Sequence, residues 1–157
     1  MARTTRATIA LDRAGVSYSV HSYGYDPDAE RIGLHAAESL GVSPERVLKT
    51  LMAEVDGKPV CVVVPSNGEI SMKRLAAACA GKSAQMMRPS DAERLTGYHV
   101  GGMSPFGQKK QFRTLIEITA LEHESVFING GQRGLQIYLK PIDAKEALRA
   151  EAASIMV

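Results

Sequence analysis

Tryptophan is absent and aromatic residues make up only 5% of the 157 residues. The chain therefore advertises no platform on which nucleic-acid bases stack. Cysteine occurs only as Cys61 and Cys79, which excludes a disulfide framework and an all-thiolate zinc site and fits a reduced, cytoplasmic setting. The histidines at 21, 35, 99 and 123 show no HxH, HxxxH or HExxH spacing, so no metal site is expected. No apolar run approaches the roughly 20 residues of a membrane span, and the opening MARTTRATIA lacks the apolar core of an export signal. Neither a membrane nor export is expected. An excess of one charge is missing too: 19 Lys and Arg against 17 Asp and Glu leave +2, far from the basic surplus of a dedicated nucleic-acid binder. Residues 31–90 do carry eight basic and five acidic side chains, so the middle of the chain is mildly basic and its ends mildly acidic.

What is present is the ordinary globular mixture, 45% apolar and 23% charged, in a length that suits one domain over residues 1–157. Residues 4–14 read as a helix stopped by Gly15, and Val16–Val20 alternates like a half-buried strand. The stretch HSYGYDPDAE is turn-rich, and 31–40 reads as a second helix stopped by Gly41. Ser43-Pro44-Glu45 starts a single turn. Val47–Val55 and Pro59–Pro65 form a hairpin through Asp56-Gly57-Lys58, since Asp-Gly between apolar runs suits the left-handed positions of a tight turn. Val60–Val64 lacks polar alternation and is expected to be buried on both faces. Ser71 caps a helix running through Ala80, and a short helix follows Pro89 over 90–96. Strands are expected at 112–119, 125–129 and 135–139, and a last helix from Asp143 to about Ser154. Interleaved early and strand-rich late, the pattern predicts an α/β (α+β) domain on a mixed or antiparallel sheet rather than a doubly wound one.

Three features could carry chemistry. Lys49 sits in the otherwise largely apolar Val47-Leu48-Lys49-Thr50-Leu51-Met52; a buried lysine would be a poised base or a cation held against an anionic or carbonyl group. The alternative is an edge-strand lysine pointing to solvent and deterring edge pairing. Seven of the fourteen glycines fall within 97–134, grouped as Gly101-Gly102-Met103-Ser104-Pro105-Phe106-Gly107 and Asn129-Gly130-Gly131-Gln132-Arg133-Gly134. Consecutive glycines let backbone amides approach a ligand, or simply make tight turns; neither group is a dinucleotide or P-loop motif. Third, His21-Ser22-Tyr23-Gly24-Tyr25-Asp26-Pro27 reads as a pocket mouth or as surface turn. Cys61 and Cys79 read as small core residues, and Ser104 lies outside any GxSxG elbow. Lys73-Arg74, Lys82, Arg88, Lys109-Lys110 and Arg113 could follow a phosphate backbone or be ordinary solvated charges.

In this order the features resemble the YbaK/EbsC family of free-standing aminoacyl-tRNA editing domains, the Cys-tRNA(Pro) deacylases, related to the editing domain inserted in bacterial prolyl-tRNA synthetase. The resemblance rests on HSYGYDP from residue 21, VLKTL at 47–51, VVPSNGEISMKRLA at 63–76, TGYHVGGMSPFGQKK at 96–110 and INGGQRGLQI at 128–137. It implies a mixed, mostly antiparallel, barrel-like sheet flanked by helices, with the pocket between them. It implies that Lys49 is the essential lysine, and that Tyr23, Thr50, Gly101, Gly102, Ser104, Asn129, Gly131 and Gln136 bind substrate. No cofactor and no metal are implied. The implied partners are the aminoacyl-tRNA acceptor end and, transiently, prolyl-tRNA synthetase. The implied activity is clearance of mischarged Cys-tRNA(Pro), with Cys-tRNA(Cys) as a further substrate, by a substrate-assisted route in which the cysteinyl thiol attacks its own ester. Alternatives are editing of another small amino acid such as Ala-tRNA(Pro), a non-catalytic tRNA- or synthetase-binding module, and a small-molecule enzyme using Lys49 as a Schiff base. Two positions depart from the family pattern: Asn129 stands for a common serine, and Gln136 for a common acidic residue. Ile32 stands where members can carry an aromatic.

Overall fold

A computed structural model describes residues 4–24 and 32–157, the side chains of residues 32 and 33 excepted. The later part of the HSYGYDPDAE turn, the start of the second helix at residue 31 and the side chain of Ile32 lie outside the described residues. In chain order come α1 (Arg6–Arg13), β1 (Ser19–Ser22), α2 (Ile32–Leu40), a 3-10 turn (Pro44–Arg46), β2 (Val47–Val55), β3 (Lys58–Pro65) and α3 (Met72–Ala78). They are followed by β4 (Ala84–Met86), α4 (Pro89–Thr96), β5 (Arg113–Glu117), a second 3-10 turn (Ile118–Glu122), β6 (Val126–Asn129), β7 (Leu135–Leu139), α5 (Pro141–Leu148) and β8 (Glu151–Ala153).

One mixed sheet of eight strands organises the domain, in the order β1-β7-β6-β2-β3-β5-β8, with β4 attached to β2. The β2–β3, β6–β7, β1–β7 and β2–β4 pairs are antiparallel, and β2–β6, β3–β5 and β5–β8 are parallel. The β2–β3 hairpin turns on Asp56 and Gly57, both at positive φ (51° and 80°), as a two-residue turn requires to match the twist of its strands. β3 then runs through the middle of the sheet. Cys61 and Val63 face one apolar cluster with Leu48, Met52, Ile116 and Ile128, while Val60, Val62 and Val64 face a second with Leu75, Leu115 and Ile155. Each fully buried valine is worth roughly 1.5–3 kcal/mol, which is why this strand tolerates no polar alternation.

The helices follow local signals. Thr5 caps α1 in a capping box with Thr8, and Ser71 caps α3 by accepting from the Arg74 amide at 3.2 Å. Gly97, at φ 82°, ends α4. α3 stops at Ala78, two residues short of the expected Ala80, which is itself left-handed (φ 56°). Two other expectations shift by a few residues: β1 begins at Ser19 rather than Val16, and the run from 112 ends as a strand at Glu117, with 118–122 a 3-10 turn.

The C-terminus corrects the sequence reading outright. α5 stops at Leu148, where Arg149 turns left-handed (φ 51°), and Glu151–Ala153 is a strand instead of further helix. AKEALRAEAAS is rich in helix formers, but the edge of β5 was open. Leu115, Ile116 and Glu117 pair with Glu151, Ala152 and Ala153. The Glu117 carboxylate accepts from the Ile155 amide at 2.9 Å, and Ile155 is fully buried. Long-range pairing and burial outweigh a few tenths of a kcal/mol per residue of propensity.

Candidate functional site: a gap in the sheet beside Lys49

β2 is paired with β3 from Leu48 to Val55, but its other edge meets β6 only at Val47 and Leu48 and β4 only from Ala53 to Val55. Lys49 to Met52 therefore border a gap in the sheet. Backbone polar groups along an antiparallel pair point alternately toward and away from the partner strand. The Val47 carbonyl accepts from the Ser66 amide beyond β3 at 2.8 Å, whereas the Met52 carbonyl accepts from the Met87 amide on the opposite side at 3.1 Å. The alternation turns the N–H and C=O of Thr50 into the gap, where no strand among the described residues pairs with them.

A cavity of about 510 Å³ opens through this gap. Of the residues expected at the site, Tyr23, Lys49, Thr50, Gly101, Asn129 and Gln136 line it. Lys49 is half-buried on an interior strand, not on the sheet's outer edge. One residue beyond the last β2–β6 pair, Leu48 with Ile128, come Lys49 and Asn129, and Asn129 is itself paired with Gln136. Strand register thus brings three dispersed polar residues into one row. The Thr50 hydroxyl and the Gln136 side-chain carbonyl are buried with no hydrogen-bond partner, in residues only 8% and 4% exposed. Such atoms cost roughly 1–3 kcal/mol each when left unsatisfied. In a cavity wall such atoms can accept or donate to a ligand's complementary groups.

The other three expected residues stand behind the wall. Ser104 is fully buried; its hydroxyl accepts from the Phe106 amide at 3.2 Å and its carbonyl from Gln108 at 3.0 Å. Gly102 lies where a Cβ would come within 2.8 Å of the Arg133 backbone nitrogen, so only glycine lets the two glycine loops touch. The Gly131 amide donates to Asn129 Oδ1 at 2.7 Å. Tyr98, not singled out in the sequence although it lies in TGYHVGG, packs beneath Gly131 and donates to the Phe106 carbonyl at 2.6 Å. Arg6 from α1 lies over its ring at 5.1 Å and donates to the Thr96 carbonyl at 2.9 Å. At the mouth, the Val100 amide donates to Glu93 at 2.8 Å and the Val100 carbonyl accepts from Arg133 at 3.0 Å.

Several lining residues were not singled out in the sequence, among them Asn67 and Glu69 of VVPSNGEISMKRLA, Met103 of TGYHVGGMSPFGQKK, and Met52, Met86 and Met87 outside any quoted motif. They come from four separate segments and share no spacing. Conversely, His21 packs edge-on against Phe127 and Tyr138 and does not line the cavity. Burial drives the Cys61 thiol up to about 12 and raises Cys79 as well, so neither offers a thiolate near neutral pH. Two basic candidates are committed elsewhere: Arg113 pairs with Glu151 at 2.9 Å and Arg74 donates to the Met156 carbonyl at 2.8 Å.

Residues 27–147 match the model of the aminoacyl-tRNA editing domain. The chain belongs to that family. Among curated relatives of this editing domain is EbsC of Enterococcus faecalis, by its name a candidate Cys-tRNA(Pro)/Cys-tRNA(Cys) deacylase, 37% identical over 87% of this chain and 84% of that protein. A proline–tRNA ligase of Limosilactobacillus fermentum is 31% identical over 60% of the chain, which spans 17% of the ligase. The fold of the editing domain matches a solved structure described as a candidate trans-editing enzyme for prolyl-tRNA synthetase. The TM-score is 0.82, with 17% identity and 99% of each chain covered. Among the described residues no helix of the editing domain is long and apolar enough to cross a membrane.

Proposed function

We propose that this editing domain clears mischarged Cys-tRNA(Pro) in trans, assisted by the substrate's own thiol. The observation that carries the reading is the cavity at the β2 gap, where Lys49 meets unsatisfied polar atoms of Thr50 and Gln136 and the Gly101 loop. An aminoacyl ester presents the matching set: an ammonium and ribose hydroxyls that donate, and a carbonyl that becomes an oxyanion. The Gln136 carbonyl suits the ammonium. Lys49 and backbone amides at the gap suit the developing negative charge, the kind of stabilisation worth about 10²–10³ in rate per donor.

The protein need not supply the nucleophile. Among the described residues, no serine, threonine or cysteine lining the cavity is hydrogen-bonded to a histidine or a carboxylate; the Ser66 hydroxyl donates to the Val47 carbonyl. In the proposed step the cysteinyl sulfur attacks its own ester carbon. The C–S bond forms, the C–O bond to the terminal ribose breaks, and the thiol proton ends on the departing ribose oxygen. The released product is the cyclic thioester of cysteine. Lys49 holds the ester or adjoining phosphate by charge and forms no covalent adduct. Prolyl-tRNA synthetase, with which the family resemblance connects the domain, would supply tRNA selection that a surface of net charge +2 does not.

The test is turnover of Cys-, Ala- and Ser-charged tRNA(Pro) by the wild type, Lys49→Ala and Lys49→Arg. Preferential release of cysteine, lost in the alanine variant and partly kept in the arginine variant, is expected. Faster release of alanine would transfer the assignment to Ala-tRNA(Pro), binding without turnover would indicate a carrier module, and full activity of Lys49→Ala would remove the lysine from the mechanism.

A further inference from the structure

α1 precedes residues 27–147, the span that matches the editing-domain model, and none of its residues lines the cavity. Its apolar face explains its place against the core, where Ala7 and Leu11 are fully buried. Its N-terminal end makes a different set of contacts. The Thr5 hydroxyl accepts from the Thr8 amide at 3.2 Å, as a helix cap does, and donates out of the helix to the Gly130 carbonyl at 2.6 Å. The exposed Arg6 donates from Nη2 to the Thr96 carbonyl at 2.9 Å and from Nε to the Gly107 carbonyl at 3.2 Å. One guanidinium thus bridges the two ends of the first glycine loop, and the residue before it holds the second. Tyr98 repeats the bridge beneath Arg6. Its ring lies 5.1 Å from the guanidinium carbon, its hydroxyl donates to the Phe106 carbonyl at 2.6 Å, and a Cβ on Gly131 would come within 2.9 Å of it. The loop leaves room for the contact: a Cβ on Gly97 would lie 2.5 Å from Arg6 Nη2, and one on Gly107 would strike the Arg6 backbone.

We propose that Arg6 and Thr5 are positioning residues, which from outside the cavity set the spacing of the two glycine loops and so the placing of Gly101 and Asn129 in its wall. The kinetic consequence rests on the deacylase reading above; the assignment of part of the site's geometry to α1 goes beyond it. Bonds from an exposed guanidinium exchange with bonds to water and add little to stability. A planar fork with fixed donor directions nevertheless fixes the separation of the carbonyls it bridges. Inside the wall the loops meet where Asn129 Nδ2 donates to the Gly101 carbonyl. Asn129 is also paired with Gln136 on β7. A loop released from α1 therefore moves groups that face the ester, and a misplacement of about 1 Å can cost about 10²-fold in rate.

Two pairs of variants separate the clasp from the helix. Thr5→Asp keeps a good helix cap but has no proton for the Gly130 carbonyl, whereas Thr5→Asn can cap through Oδ1 and donate through Nδ2. Arg6→Met keeps an unbranched stem and loses every donor, whereas Arg6→Lys keeps the charge without the fork. Circular dichroism and urea midpoints report folding of all four. In 15N spectra of the ligand-free protein, the amides of Gly101, Gly102, Asn129 and Gly131 should move in Thr5→Asp and Arg6→Met, return most of the way in the conservative pair, and leave Gly41 and Gly57 in place. With the charged tRNA that the wild type discharges fastest, kcat should fall about tenfold in Thr5→Asp and Arg6→Met with KM within about twofold, as expected of residues that touch no substrate. The conservative pair should recover to within about threefold of the wild type. Unmoved glycine-loop amides in Arg6→Met would overturn the proposal. So would a loss of kcat that tracks the urea midpoint through all four variants without recovery in the conservative pair. A wild type that discharges no charged tRNA would defeat the deacylase reading, and the glycine-loop amides would then decide the clasp by themselves. Wild-type turnover with kcat unchanged in Arg6→Met would defeat the clasp and leave that reading standing.

Discussion

Asn129 donates from Nδ2 to the carbonyl of Gly101 across 3.3 Å and so ties the two glycine loops together at the cavity wall. The same amide nitrogen donates to the Gln132 carbonyl at 3.3 Å, and its Oδ1 accepts from the Gly131 amide at 2.7 Å. A serine, which the resemblance led one to expect here, carries one hydroxyl on a shorter stem and cannot make all three bonds. Asn129 is therefore also a structural bridge.

Asn129→Ala should lower stability by about 1–3 kcal/mol, because it leaves two carbonyls and an amide unsatisfied in a largely buried place. Asn129→Ser should cost less, since a hydroxyl can still accept from Gly131. Urea midpoints of the two variants check the order. Turnover should fall in parallel, as the loops lose their common anchor.

Thr50→Val should separate stability from activity. The Thr50 hydroxyl is buried and unpartnered, so a methyl of similar shape removes an unsatisfied group and should hold or raise stability by up to about 1 kcal/mol. If the hydroxyl serves the substrate, kcat/KM should fall about tenfold, the value of one hydrogen bond. A variant both more stable and fully active would leave Thr50 without a substrate role.

The rim of the cavity should respond to acid. The Val100 amide, chiefly, holds the half-buried Glu93 carboxyl below its ordinary 4.5, and the neighbouring His99 adds to this. A depressed carboxylate contributes its contact above the ordinary value and loses it as pH falls through the folded one. Hydrogen exchange of the Val100 amide, corrected for its intrinsic rate, should show full protection at neutral pH and loss only below 4.5. Glu93→Gln should flatten that profile.

Cys61 should be silent in the folded protein. With its thiol pushed to about 12 by burial, an alkylating reagent at pH ~8 should label Cys79 first and reach Cys61 only on unfolding. Mass spectrometry of native and urea-treated protein distinguishes the two. Rapid native labelling of Cys61 would show that the β3 core opens locally.

Much of the framework was legible from local chemistry. Asp56-Gly57 announced the hairpin, Val60–Val64 its two-sided burial, Ser71 and Gly97 the ends of α3 and α4, and Lys49 its own oddity in an apolar strand. These signals act over a few residues, through turn geometry, capping and hydrophobic period, so sequence alone determines them. The resemblance to the editing-domain family was carried by such short motifs as well. What only the tertiary structure decided depends on partners distant along the chain. Glu151–Ala153 became a strand because the β5 edge needed pairing, and Ser104, Gly102 and Gly131 support the cavity wall while Thr50 and Gln136 face its interior. Met52, Met87 and Met103, with no common spacing, met in one cluster that lines the cavity where β2 has no partner on one edge between Leu48 and Ala53. A gap in a sheet is a relation among three strands, and no single segment encodes it.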